Sequence, residues 1–164
     1  MAALAVLPAH AKEGPPISVG ANGVTINALL PEPPDDSWIV PPTSFTDDFF
    51  SGFSVSKAAS GFQYKFLKEG SGGAKPAQGQ EVQVNYKGYL LDGTLVDTSF
   101  VREKPLKITV GSPKIISGWT AVLTGMTAGM RVIVRIPAEF AYGEQGRGKI
   151  PPNSPLVYYM ELVQ

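Results

Sequence analysis

The sequence predicts an α+β domain, with four or five antiparallel strands curled around one short helix and an extended proline-rich N-terminal arm. Three observations carry that prediction. The second half of the chain holds runs in which apolar and polar residues alternate, the two-residue period of a strand with one covered face. Only one stretch, "SGWTAVLTGM", has helical spacing. Eight of the fifteen prolines fall in residues 1–60, several in pairs that bar both helix and sheet interior.

The chain begins with "MAALAVLPAHA", residues 1–11, an apolar run ending Ala-His-Ala. Small residues before a cleavage point give it the form of the end of an export signal. It lacks a basic start and is too short to span a bilayer. The plain alternative is an apolar tail. Residues 12–60 read as the arm. Its stretch "LLPEPPDDSWIVPPTSFTDDFF" carries Trp38, Ile39, Val40, Phe45, Phe49 and Phe50, with Phe53 just beyond. A disordered linker is poor in such residues, so these need a surface to bury against. That surface is either the chain's own domain or a partner's, and the sequence leaves both open.

Residues 61–164 read as the folded domain. "GFQYKFLKEG" alternates Phe62, Tyr64 and Phe66 against polar neighbours and ends in a glycine-rich turn. "EVQVNYKGYL" puts Val82, Val84 and Tyr86 on one face, and "LDGT" is a turn with Asp-Gly at its centre. "RVIVRI" gathers Val132, Val134 and Ile136, with Arg131 and Arg135 outward. "LVYYMELV" gathers Leu156, Tyr158, Met160 and Leu162. The helix starts at Ser117, a plausible N-cap, and Gly125 can end it. Trp119 and Leu123 share a face, as do Ile115 and Val122. So short a helix is not stable alone, so the sheet must hold its tryptophan. Why a glycine, Gly118, precedes that tryptophan is a question for the packing.

Composition narrows the chemistry. Apolar residues make up 43% and charged residues 17%, enough for a real core. Fourteen basic and fourteen acidic side chains cancel, which gives no reason to expect nucleic acid as a partner. Residues 1–60 nonetheless carry six acidic and two basic groups against eight and twelve in the remainder. With no cysteine and a single histidine, His10, thiol catalysis and a Ser-His-Asp triad are not expected. "GEQGRGK", Gly143–Lys149, nearly matches a phosphate-binding loop. Ile150 then stands where Ser or Thr should hold magnesium, and "PPN" follows where a helix should begin, so no nucleotide is expected. No paired carboxylates stand out for acid–base work. Asp97, with Arg102 five residues on, reads by default as a structural ion pair, and otherwise as an acid lining an apolar cleft. Candidate cleft residues are Tyr86, Leu106, Ile115, Ile116, Trp119, Tyr142 and Tyr158, each of which alone is more often core.

Taken together, "VQVNYKGYLLDGTLVDTS", "KPLKITVG", "IISGWTAVLTGM", "AGMRVIVRIPAEFAYG" and "IPPNSPLVYYMEL" resemble the FKBP-type peptidyl-prolyl isomerase family, the immunophilins. The resemblance runs from about Gly61 to Gln164. It implies a five-stranded antiparallel sheet wrapped around a short helix. It also implies isomerase activity on X–Pro bonds, with no cofactor. By matching motif, Tyr86, Asp97, Ile116, Trp119 and Tyr142 would be catalytic, and Val96, Leu106, Ile115 and Tyr158 would bind substrate. Trp119 would floor a pocket for a proline ring. The Ile116 N–H and Tyr142 hydroxyl would bond peptide carbonyls, and Arg102 would pair with Asp97. Val96, Leu106 and Tyr158 stand where active members commonly carry phenylalanine or another aromatic, which implies smaller walls and reduced activity. The implied partners are proline-containing polypeptides and macrolide immunosuppressants. The alternative is a weakly active or inactive binding module, tied by residues 12–60 to a larger assembly. "AHAKEGPP" is similar to thylakoid-lumenal members, which points to a photosynthetic membrane complex; a bacterial periplasmic member would look alike.

Overall fold

The computed structural model describes residues 42–57 and 61–164, and the backbone of two two-residue strands, β1 (Val19–Gly20) and β2 (Gly23–Val24), paired antiparallel. The first helix is one turn, α1 (Asp47–Phe50), capped by Thr46, whose hydroxyl accepts the Phe49 N–H at 3.4 Å. The strands that follow are β3 (Ser54–Val55), β4 (Gln63–Lys68), β5 (Glu81–Leu90), β6 (Leu95–Thr98), β7 (Leu106–Thr109), β8 (Arg131–Ile136) and β9 (Leu156–Leu162). Between β7 and β8 lies α2 (Ser117–Leu123). The sheet runs β3-β4-β8-β9-β5-β6, and β7 also pairs with β5. β6 binds residues 87–89 of β5 and β7 binds 81–84, so the two are halves of one interrupted edge. Counted that way the domain has the expected five strands, and β3 from the arm adds a short sixth along β4.

The inner face is the one the alternation marks. Val82, Val84, Tyr86, Val132, Val134, Ile136, Leu156, Tyr158, Met160 and Leu162 are all buried against Trp119 and Leu123 of α2. Gly118 explains the close fit. A Cβ there would lie 2.5 Å from Ile136 Cγ2 and 3.0 Å from the Phe140 carbonyl oxygen. Only a residue without a side chain lets α2 lie this close to β8, and that proximity drives the adjacent indole into the sheet's concave face.

Three expectations are corrected. Ile116 rather than Ser117 is the N-cap, with extended backbone and no side-chain cap bond; the Ser117 hydroxyl instead donates to the Phe140 carbonyl at 3.4 Å. Phe66 does not join Phe62 in the core: it pairs in register with Val132 just before β4 loses its regular step, its ring lies 5.4 Å from that of Tyr64, and it is 52% exposed. Most consequentially, the sheet is covered on both faces. Tyr89, Ile133, Val157 and Tyr159 form a second buried layer beneath Phe45 and Phe50, flanked by Phe49 and Phe53.

Residues 42–57, the described end of the arm, thus pack on the chain's own domain. Phe45 lies 5.7 Å from Tyr89 and 6.5 Å from Tyr159, centroid to centroid. Its N–H donates to the Leu91 carbonyl at 2.7 Å. Gly93, at φ +86°, turns the β5–β6 hairpin where a Cβ would run into the Thr43 carbonyl. The Arg135 guanidinium sits 5.0 Å over the Phe50 ring and reaches Gln63 at 3.1 Å and Asp47 at 3.5 Å. Trp38, Ile39 and Val40 lie outside the described residues.

Candidate functional site

The predicted residues fall into two adjoining groups around the N-terminal end of α2. The first is aromatic. Tyr86 on β5, Trp119 on α2 and Tyr158 on β9 meet edge to face, with Tyr86–Trp119 at 4.6 Å and Trp119–Tyr158 at 5.3 Å. All three are buried, the indole 5% exposed, and its Nε1 has no hydrogen-bond partner among the described residues. Tyr158 is set by Gly88, its register partner on β5. A Cβ at Gly88 would come within 2.5 Å of the Tyr158 ring.

The Tyr86 hydroxyl donates to Asp97 Oδ2 at 2.7 Å, while Asp97 Oδ1 accepts the Thr98 N–H at 2.8 Å. The backbone around it is tied just as firmly. Tyr86 N–H donates to Ser99 Oγ at 3.0 Å, and its carbonyl accepts from Thr98 Oγ1 at 2.9 Å. Burial pushes the Tyr86 phenol pKa well up, helped by the bond to Asp97, while the Arg102 guanidinium beside the same hydroxyl pulls the other way. Among the described residues Asp97 and Arg102 make no direct ion pair. Asp97 is taken by the Tyr86 hydroxyl and the Thr98 N–H, and Arg102 Nη1 donates to the Thr98 carbonyl at 3.5 Å. Tyr158 is likewise pushed up by burial, then by Tyr142, Tyr86 and Asp97.

The second group lines an open cleft of about 320 Å³. One wall is the run Pro113–Ser117, and the other is Ala141, Tyr142 and Arg147. Ile115, Ile116 and Tyr142 thus face open volume, while Trp119 lies beneath the neighbouring core. Val96 and Leu106 are half-buried and pack against that core without lining the cleft. Two donors here have no partner among the described residues. The Ile116 N–H is the first orphan of a helix start, and the Tyr142 hydroxyl bonds nothing.

Sequence reading had singled out neither Lys114 nor Arg147 as a cleft residue. Arg147 lies within the glycine-rich "GEQGRGK", which forms a turn with Gly143, Gly146 and Gly148 all at positive φ. Its guanidinium packs 5.7 Å from the Tyr142 ring centroid. Among the described residues no three His, Asp or Glu side chains gather as a metal site.

A short helix half-wrapped by an antiparallel sheet, with a buried aromatic triad beside an open cleft, defines an α+β domain of the immunophilin type. The chain belongs to the FKBP-type peptidyl-prolyl cis-trans isomerase family, whose pattern residues 72–163 match. It is 41% identical over 111 residues to the FKBP-type 22 kDa peptidyl-prolyl cis-trans isomerase of Escherichia coli, covering 67% of this chain and 52% of that protein. With the Drosophila melanogaster isomerase Fkbp12 it shares 39% identity over 105 residues, 63% of this chain and 97% of that one. The crystal structure of Escherichia coli FkpA superposes with a TM-score of 0.63 at 38% identity, over 70% of this chain and 51% of FkpA. That of AtFKBP13 gives 0.63 at 33%, over 68% and 97%. The chain spans about half the length of those bacterial relatives.

Proposed function

We propose that the protein is a peptidyl-prolyl cis-trans isomerase that acts on X–Pro bonds in the cleft beside Trp119. One observation carries the reading: two donors without a partner among the described residues, the Ile116 N–H and the Tyr142 hydroxyl, belong to residues that line one open cleft, with Ile115 and Ala141 beside them and Lys114 and Arg147 at its walls. Rotation about an amide is slow because resonance holds it planar, with a barrier of roughly 18–20 kcal/mol. Water favours the polar planar form. A cleft that excludes water and holds a twisted carbonyl on fixed donors binds the transition state better than the ground state. Each 1.4 kcal/mol of that difference is about tenfold in rate. Tyr86, with Asp97 and Arg102 around its hydroxyl, keeps one side of the site rigid.

The test is proline-tetrapeptide isomerisation by the full chain, with Tyr142→Phe and Trp119→Leu. Both variants should lose about tenfold or more in kcat/KM while staying folded. Unchanged rates in both would sink the assignment. An FK506-type macrolide should compete with the peptide for the same cleft.

The form of residues 1–11 supports a compartment reached across a membrane, the thylakoid lumen or, in a bacterium, the periplasm. Fractionation of the source cells tests it. The binding-module alternative draws no support from Phe45, Phe49, Phe50 and Phe53, whose rings turn to the domain's own sheet.

A further inference from the structure

The cleft's walls carry charge of one sign. Lys114 lies on one wall and Arg147 on the other, and among the described residues no carboxylate lines the space between. Neither cation has an ion-pair partner among the described residues. The acids nearest in sequence, Glu139 and Glu144, are exposed and stand outside the cleft. Asp97, the acid of the buried group, is committed to the Tyr86 hydroxyl and the Thr98 N–H.

Each cation also stands beside a free donor. Lys114 precedes Ile116 by two residues, and Arg147 packs on the ring of Tyr142. A peptide whose carbonyls take those donors therefore runs between the two positive groups. We infer that this site selects X–Pro peptides carrying a carboxylate beside the proline and disfavours peptides carrying Lys or Arg there. The inference rests on the isomerase reading and names its substrate class. A concave surface with charge of one sign on both walls raises the local potential felt by a bound chain, and a guanidinium fork matches a carboxylate in two bonds. The charge sits at the end of a side chain that takes no part in the twisting imide, so it is felt about equally in ground and transition states. It should therefore act on KM more than on kcat.

The experiment uses the full chain and three tetrapeptides that differ only before proline, with Glu, Gln or Lys there. At low salt kcat/KM should fall in that order, with Glu over Lys by about three- to tenfold, the strength of one or two partly exposed ion pairs. The ratio should approach one near 1 M salt, where the Debye length is roughly 3 Å. Lys114→Glu combined with Arg147→Glu should reverse the order. Turnover on all three peptides at equal rates, or an order unchanged by charge reversal, overturns the inference and leaves the isomerase standing. Absence of turnover on every peptide overturns the isomerase reading itself. If the double variant fails to fold, the wild-type salt dependence decides alone, and a Glu-to-Lys ratio that ignores salt overturns the inference.

Discussion

The Tyr86 hydroxyl donates to Asp97 at 2.7 Å from an almost fully buried ring, so the two residues depend on each other unequally. Removing Asp97 leaves a phenolic donor in a low-dielectric interior, at a cost of about 1–3 kcal/mol. Removing the hydroxyl leaves the carboxylate exposed, still bonded to the Thr98 N–H. Asp97→Ala should therefore destabilise more than Tyr86→Phe, by about 1 kcal/mol or more in urea unfolding. Equal losses would mean that the phenol finds another acceptor, or water, once Asp97 is gone.

Gly118 and Ile136 give a second prediction. Alanine raises helix propensity by about 1 kcal/mol over glycine, which taken alone would stabilise α2. Here its Cβ meets a branched side chain at 2.5 Å and a backbone carbonyl at 3.0 Å, and neither can yield without moving α2 or the Phe140 turn. Overpacking of that kind typically costs about 1–3 kcal/mol, so the clash wins. Gly118→Ala should lower the melting temperature and shift the Trp119 fluorescence. Gly125→Ala, whose Cβ meets only the Val122 carbonyl at 3.3 Å, should come close to wild type.

The arm yields a third. Phe50 is 1% exposed, with Arg135 over its ring and Phe49 and Phe53 at its edges. Phe50→Ala should cost about 3–5 kcal/mol, as truncation of a buried phenylalanine does elsewhere. A chain cut to 61–164 would bare Tyr89, Ile133, Val157 and Tyr159 together. It should bind a hydrophobic dye and aggregate on heating, since soluble monomers rarely expose so continuous an apolar patch. A fragment as stable as the full chain would refute an integral role for residues 42–57.

The inner half of this architecture was legible because strand period and helix period are simple. Val132, Val134 and Ile136 repeat every second residue, and Trp119 and Leu123 every fourth. The outer layer was readable too, from the opposite signal. "RVIVRI" is apolar at three consecutive positions and "LVYYM" at five, the mark of a strand covered on both faces, yet alternation alone was counted. The Asp97–Arg102 spacing suggests an ion pair because sequence distance says nothing of the partners the fold offers first, the Tyr86 hydroxyl for Asp97 and the Thr98 carbonyl for Arg102. Lys114 and Arg147 fall on separate loops, and only the fold brings them to one cleft. No local pattern encodes that.

Tyr159 carries the last prediction. Its hydroxyl is buried with no hydrogen-bond partner among the described residues, in the layer that Phe45 and Phe50 cover, and burial pushes its phenol pKa up. An unfolded tyrosine ionises near pH ~10, so above that the unfolded chain sheds protons that the native state keeps. The native state then binds more protons than the unfolded one, and stability must fall as pH rises. Tyr86 and Tyr158 are shifted the same way, so the three act together. Their contribution is complete below about pH 10 and declines above it, by about 1.4 kcal/mol per pH unit for each phenol. Unfolding by urea between neutral pH and pH ~11 should show that decline. Tyr159→Phe should make it shallower and, by deleting an unpaired polar group, stabilise the protein at neutral pH by about 1 kcal/mol. A variant that loses stability at neutral pH would show that the hydroxyl has a partner after all.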